Sequence, residues 1–228
     1  DFDPAVPNVS PTSTIYGQYR SLVLEDENSQ FIFGSSFTGS GNDNAFYVIS
    51  VERARYKQSL LPGSLNLILS SSDTINGYGT IQLTDNSNMV SLPIYYGTQR
   101  AYQLISGSDG SAYSGDGYTP ASGSYGLFLP DISTILLNAA ALDDNSLNGG
   151  GINLQTDSGS NVAGQNPTKL FLHISGSTGD SNGNTFLLNS QETLTSDFVF
   201  VRARNSEFNY SENPSFISGS TGEVIYSY

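Results

Sequence analysis

Hydrophobic and polar positions along the chain alternate most clearly at 65–69. There Leu65, Leu67 and Leu69 fall on one face of a run that starts after Pro62-Gly63, the pattern of a strand. Residues 45–51, AFYVISV, form an apolar run of strand length. The next stretch, ERARYKQSLL, carries helix formers with Glu52 early and Lys57 late, which suits the helix dipole, and Pro62-Gly63 would end it. Ile15, Tyr19, Leu22 and Val23 recur at helical spacing behind Ser13/Thr14, a plausible cap, and predict a helix over 14–24 in spite of Gly17.

Further along, TIQLTDNSN reads as a strand and a turn, and SLPIYYG and AYQLISGS as two short strands. A strand is expected at Thr134–Leu137 with a helical turn after it. Asn166-Pro167 gives a helix start, with Asn as cap and Pro at the first helical position. NTFLLNS either continues that helix or forms a strand. At 198–204, Val199, Val201 and Ala203 alternate with Phe198, Phe200, Arg202 and Arg204, so FVFVRAR opens as a strand before the polar turn at Asn213-Pro214.

Between these runs lie long segments rich in Gly, Ser and Asn, at 106–126 and 145–166 above all. The first is too long for an idle linker and is expected to be a binding loop or mobile. Residues 1–13, with Pro4, Pro7 and Pro11, read as an extended arm. The expectation is a mainly β or α+β fold: one antiparallel-sheet domain over 14–228 with a few short helices and long loops, preceded by that arm. The chain starts at Asp1 and ends on an apolar stretch, so it is expected to be processed or part of a longer protein.

Composition narrows the function classes. With 228 residues and 37% hydrophobic content, one domain burying about 70–75% of its unfolded surface is the default. Twenty-one acidic residues against eight basic ones give a net charge of -13, which argues against a nucleic-acid partner. The absence of cysteine excludes disulfides, thiol nucleophiles and thiolate metal sites. No run approaches the length of a membrane-spanning helix, and neither a signal-peptide pattern nor a phosphate-binding or dinucleotide fingerprint is present.

Catalytic and metal-binding readings are thin. The single histidine, His173, excludes a two-His zinc site and reads more simply as a satisfied or interfacial side chain on a short helix. Asp180, Asn182 and Asn184 mimic the start of a calcium loop, but the position where a bidentate acid is required holds Gln191, with Glu192 beyond it. Glu25, Asp26 and Glu27, and Asp143 with Asp144, are carboxylate groups of the type that cut glycosides, though such runs usually form solvated turns. Asn8 and Asn209 begin glycosylation-type sequons, a pattern common by chance.

The basic residues are the most informative. Arg53, Arg55 and Lys57 form one cluster and Arg202 and Arg204 another, while Arg20, Arg100 and Lys169 lie elsewhere. In an acidic chain, clustered Arg meets carboxylates through bidentate hydrogen bonds. A helical 53–57 would put Arg53 and Lys57 on one face, and a strand would put all three there. Either an ion-pair network inside one subunit or a subunit interface accounts for the two clusters.

Four segments carry a family resemblance: FYVISVERARYKQSLLPGSLNLIL, YQLISGSDGS, YGLFLPDISTILLNAAALD and FVRARNSEFNYSENPSFISGSTGEV. In this order they resemble parts of a large virion structural protein of contractile-tailed phages that infect marine cyanobacteria, over roughly residues 15–225. The resemblance implies a non-enzymatic virion component of the tail or baseplate, without catalytic residues or cofactors. Its partners would be copies of itself and other virion proteins, with no nucleic acid or membrane. A capsid or neck component, or a β module that binds glycans or a host receptor through Tyr-rich loops over 95–125, is the alternative. The family's proteins continue beyond both ends of this chain. Arg53, Arg55, Lys57, Arg202 and Arg204 are then the expected contacts to acidic loops of adjacent subunits.

Overall fold

The fold is taken from a computed structural model that describes residues 11–26, 28–33, 46–70, 80–113, 124–143, 166–175 and 183–202. The chain divides into two compact units, Asp1–Glu192 and Thr193–Tyr228.

The first unit is built on an antiparallel sheet, the mainly β class expected. Its strands are β1 (Phe46–Ser50), β2 (Ser59–Leu60), β3 (Asn66–Ser70), β4 (Thr80–Asp85), β5 (Ile94–Tyr96), β6 (Gln99–Ser108), β7 (Ser111–Ala112), β8 (Gly126–Leu129), β9 (Thr134–Asn138), β10 (Phe186–Leu187) and β11 (Ser190–Gln191). Nine of them form one sheet in the order β1-β9-β8-β6-β4-β3-β10, with β5 and β7 paired on β6, and β11 pairs with β2 separately. The helices are α1 (Pro11–Val23), α2 (Ala139–Asp143) and α3 (Asn166–Ser175).

Strand periodicity sorts the side chains onto two faces. Leu67, Leu69, Leu83, Tyr102, Leu104, Phe128, Ile135 and Leu137 form one core with Leu60, Leu65, Ala141 and Leu142. The intervening Ala101, Leu127, Leu129 and Leu136 form a second core with Val23, Phe31 and Phe33. The first is closed by α2, α3 and the 51–65 segment, the second by α1 and the 31–33 segment. Phe46 is the hub of the second, with ring centroids 5.0 Å from Tyr16, 5.1 Å from Phe31 and 6.0 Å from Tyr19.

Several expectations need correction. Helix α1 starts at Pro11, so 11–13 belong to it and not to the arm; proline lacks only an N–H that a first turn leaves unused. Its inward residues are Tyr16, Tyr19 and Val23, while Ile15 and Leu22, expected on the buried stripe, face outward. The helical reading of 52–61 fails beyond a single 3-10 turn at Arg53–Arg55. Tyr56 is already extended, and Ser59 and Leu60 pair with Gln191 and Ser190, so tertiary pairing outweighs helix propensity. The loop expected at 106–126 is a hairpin in its first part. Ser108 pairs with Ser111 across Asp109-Gly110, both at positive φ (50° and 77°), the conformation that a two-residue hairpin turn requires. Residues 114–123 and 144–165 lie outside the described residues, as do Arg204 and both sequons.

The second unit is described over 193–202 only, and no strand forms there. The strand expected from Phe198 therefore lacks its ladder. A strand is a relation between two backbones, and among the described residues this one has no pairing partner.

Candidate assembly surface

The 3-10 turn gathers the first basic cluster. Arg53 folds back on its own loop, its guanidinium donating to the Tyr56 carbonyl at 2.9 Å and to the Lys57 carbonyl, and stacks over the Tyr56 ring at 4.6 Å. Arg55 meets Glu52 at 3.7 Å, and Lys57 meets Glu192 at 3.4 Å. Arg55, Glu52 and Lys57 are well exposed, so both pairs are weak and open to exchange with an outside carboxylate. The structure thus brings Arg53, Arg55 and Lys57 together and gives each a local role.

Arg202 is exposed, at the end of the described part of the second unit. Ahead of it, Phe198, Val199, Phe200 and Val201 are 83, 83, 98 and 85% exposed, the most continuous apolar exposure among the described residues. Asp197 precedes them and is exposed as well. Among the described residues neither Asp197 nor Arg202 belongs to an ion pair.

The buried polar groups serve the fold. His173 is buried on α3, where Nδ1 lies 2.6 Å from the Ser70 carbonyl, while the Ser70 hydroxyl donates to the His173 carbonyl at 3.0 Å. This is the satisfied histidine that the sequence favoured. Asp85 is fully buried and accepts backbone N–H groups from Gly63 and Ser87. Around it, the Asn66 side chain bonds both the carboxylate and the N–H of Asp109, Asn88 donates to the Asp109 carbonyl, and Gly110 donates to the Thr84 hydroxyl. Three turns are tied together in this way; the sequence marked the breaks at Pro62-Gly63 and after Thr84, but not the turn at Asp109-Gly110 or the bonds that join the three.

Sequence reasoning also missed the strongest ion pair. Arg100 on β6 grips Asp131, with Nε 2.9 Å and Nη2 2.6 Å from the two carboxylate oxygens. The hydrogen bonds from Arg100 hold the Asp131 carboxyl below its ordinary pKa. Arg100 stood alone in the sequence, and only the β6–β8 pairing brings it to the turn after β8.

Of the carboxylate groups, Asp26 caps its own turn, accepting from the Asn28 N–H at 2.9 Å and the Ser29 hydroxyl at 2.7 Å, and these bonds lower its pKa. Glu27, Asp144 and Asp180 lie outside the described residues. Gln191, at the calcium-loop position that needs an acid, instead donates to the Ser59 hydroxyl at 3.1 Å. Among the described residues no group of three or more His, Cys, Asp or Glu is placed to hold a metal ion, and no helix is long and apolar enough to cross a membrane.

Comparison with known proteins adds no relative. No family model, curated protein or solved structure matches the chain.

Proposed function

We propose that the chain is a non-enzymatic structural protein of a contractile-tailed phage particle, in its tail or baseplate, acting through protein–protein contacts. The observation that carries this reading is the exposed run Phe198–Val201, which leaves four large apolar side chains in water beside Arg202. Apolar exposure on that scale is characteristic of surfaces that are covered on assembly. The exchangeable pairs of Arg55 and Lys57 supply a second, charged contact on the first unit. The resemblance of four long segments to a virion protein supplies the context.

A glycan-binding module is the second reading. It is favoured by Tyr95, an exposed ring on β5 directly across from Arg100, since aromatic faces stack on sugars and guanidinium groups bond their hydroxyls.

Immunogold labelling of intact phage with antibody against this chain tests the proposal. Gold on the tail or baseplate is the expected result. Gold on the head moves the protein to the capsid or neck. Absence of the chain from the same particles by mass spectrometry overturns the virion reading, and binding on a glycan array would then favour the second. Arg202→Glu with Arg204→Glu is expected to leave the circular dichroism spectrum unchanged and to impair assembly. Unfolding of that variant would make the pair internal.

A further inference from the structure

Residues 185–192 close one edge of the first unit along two lines of pairing. β10 is the last strand of the sheet and lies on β3, with Phe186 opposite Leu67 and Leu187 opposite Asn66. β11 lies on β2, with Ser190 opposite Leu60 and Gln191 opposite Ser59. Further bonds make one strap of the two. Ile68 donates its N–H to the Thr185 carbonyl at 2.8 Å, and Leu61 to that of Asn189 at 2.9 Å. The Asn189 N–H in turn donates to the Ser64 hydroxyl at 3.0 Å. Burial adds little to this hold. Leu67 and Leu69 on β3 are fully buried, whereas no residue of 185–192 is, and Leu188 packs on the first core only half-covered. A segment held by backbone bonds more than by burial is among the first parts of a fold to open. The same kind of bonding lets a strand from another chain dock on a sheet edge.

We propose that two copies of the chain exchange this strap, each seating its 185–192 on the β2–β3 edge of the other. The proposal rests on the assembly reading and names how two copies join. The seat itself selects the occupant. Gln191 donates its side-chain amide to the Ser59 hydroxyl at 3.1 Å, Glu192 meets Lys57 at 3.4 Å, and Leu188 fills its place on the core. A strand from a second copy brings all three groups at the same spacing, so every contact made within one chain is remade between two.

Chain length does not oblige the strap to return to its own sheet. The end of α3 and the start of the strap are both anchored on β3: the Ser70 hydroxyl donates to the His173 carbonyl, and Ile68 bonds Thr185. Those two anchors are two residues apart on one strand, about 7 Å. Nine residues, 176–184, lie between α3 and Thr185, and a chain of that length spans up to about 30 Å when extended. Because exchange replaces each contact with an identical one, concentration decides the outcome. A dilute chain keeps its own strap, and copies held close in an array trade theirs.

Introduced cysteines test the exchange, since the chain has none of its own. Opposed residues of an antiparallel pair have Cα atoms about 4.5–5.5 Å apart, within reach of a disulfide. Ser59→Cys chains and Gln191→Cys chains are mixed, refolded together from urea, concentrated into the millimolar range and held in a glutathione buffer. The mixed disulfide should form about tenfold faster than either symmetric one, because only the exchanged dimer brings the two thiols together. Sedimentation equilibrium of the unaltered chain, treated alike, should show a dimer. The double variant Ser59→Cys with Gln191→Cys, refolded dilute, should close its disulfide within one chain and stay monomeric when concentrated. Reduction, refolding and concentration should then return the dimer. An unaltered chain that stays monomeric, mixed and symmetric disulfides in equal yield, or a locked chain that dimerises as well as the reduced one would each overturn the exchange. A double variant that cannot close the bond within one chain would overturn the seating itself. Mass spectrometry of particles is read separately: a chain found in the virion but never exchanged sinks the exchange alone, and an exchanging chain absent from the virion sinks the virion reading alone.

Discussion

Gly63 donates its backbone N–H to both carboxylate oxygens of Asp85, each at 2.9 Å, across 22 residues of chain. Asp85 is fully buried and has no ion pair among the described residues, and its carboxyl oxygens are met by the backbone N–H groups of Gly63 and Ser87. Asp85→Asn replaces one acceptor with a donor that faces other donors. It should lower stability by about 2–3 kcal/mol, read as a lower urea midpoint with an unchanged slope. An unchanged midpoint would mean that the site tolerates an amide and that the carboxylate is incidental.

The Arg100–Asp131 pair gives the fold an acid-sensitive element. The Asp131 pKa is lowered in the folded chain, so the stability it adds is present above the unfolded value, about 4, and is lost as pH falls through the lower folded value. Arg100→Met should cost about 1 kcal/mol at neutral pH, a modest figure because both side chains are partly exposed. The difference between wild type and variant should shrink below about pH 4. Denaturation curves across that range check it, and a gap that stayed constant would contradict the linkage.

Two glycines should respond in opposite directions to alanine. Gly126 sits at φ 152°, and a Cβ there would lie 1.9 Å from the Leu136 carbonyl oxygen in the neighbouring strand. Gly126→Ala should destabilise by about 2 kcal/mol or more, through strain and a broken β8–β9 ladder. Gly17, inside α1, has nothing within 4 Å of its added Cβ. Gly17→Ala should stabilise by about 0.5–1 kcal/mol. Thermal melts of the two variants on opposite sides of wild type are the expected outcome.

His173 carries its proton on Nδ1, because the Ser70 carbonyl that it contacts only accepts. Nitrogen-15 shifts of the imidazole should show the Nδ1–H form. His173→Leu leaves the Ser70 carbonyl without this donor and should cost about 1–3 kcal/mol. The opposite tautomer would require a different partner for that carbonyl.

What was legible in the sequence followed the range over which its causes act. The strands at 46–50 and 66–70 and the helix starting near Asn166 are written in local pattern and capping residues, and they are present. The stretch 52–61 was not legible, because Ser59 and Leu60 take their structure from residues 190–191. The Asp109-Gly110 turn was overlooked because its polar surroundings read as loop, although Asp-Gly is itself a hairpin signal. Within the candidate surface, the sequence located the clustered cations but could not show Arg53 folded onto the carbonyls of Tyr56 and Lys57. It also read Phe198–Val201 as a strand, which is a property of the pair and not of the segment alone.

The two cores flanking β8 and β9 leave these strands without a solvent face: Leu127, Leu129 and Leu136 enter one, and Phe128, Ile135 and Leu137 the other. A one-residue slip of β8 against β9 would therefore exchange apolar for apolar, and water would exact no penalty. The hydrophobic pattern, which fixes alignment wherever one side of a sheet is wet, is silent here. Alignment falls instead to parts that cannot be shifted: Gly126, the one residue without a side chain where Leu136 closes in, and the turn in which Ser133 takes φ 55° and Asp131 is held by Arg100. These few residues act as the indexing pins of the sheet, and damage to them should yield misaligned but still compact molecules.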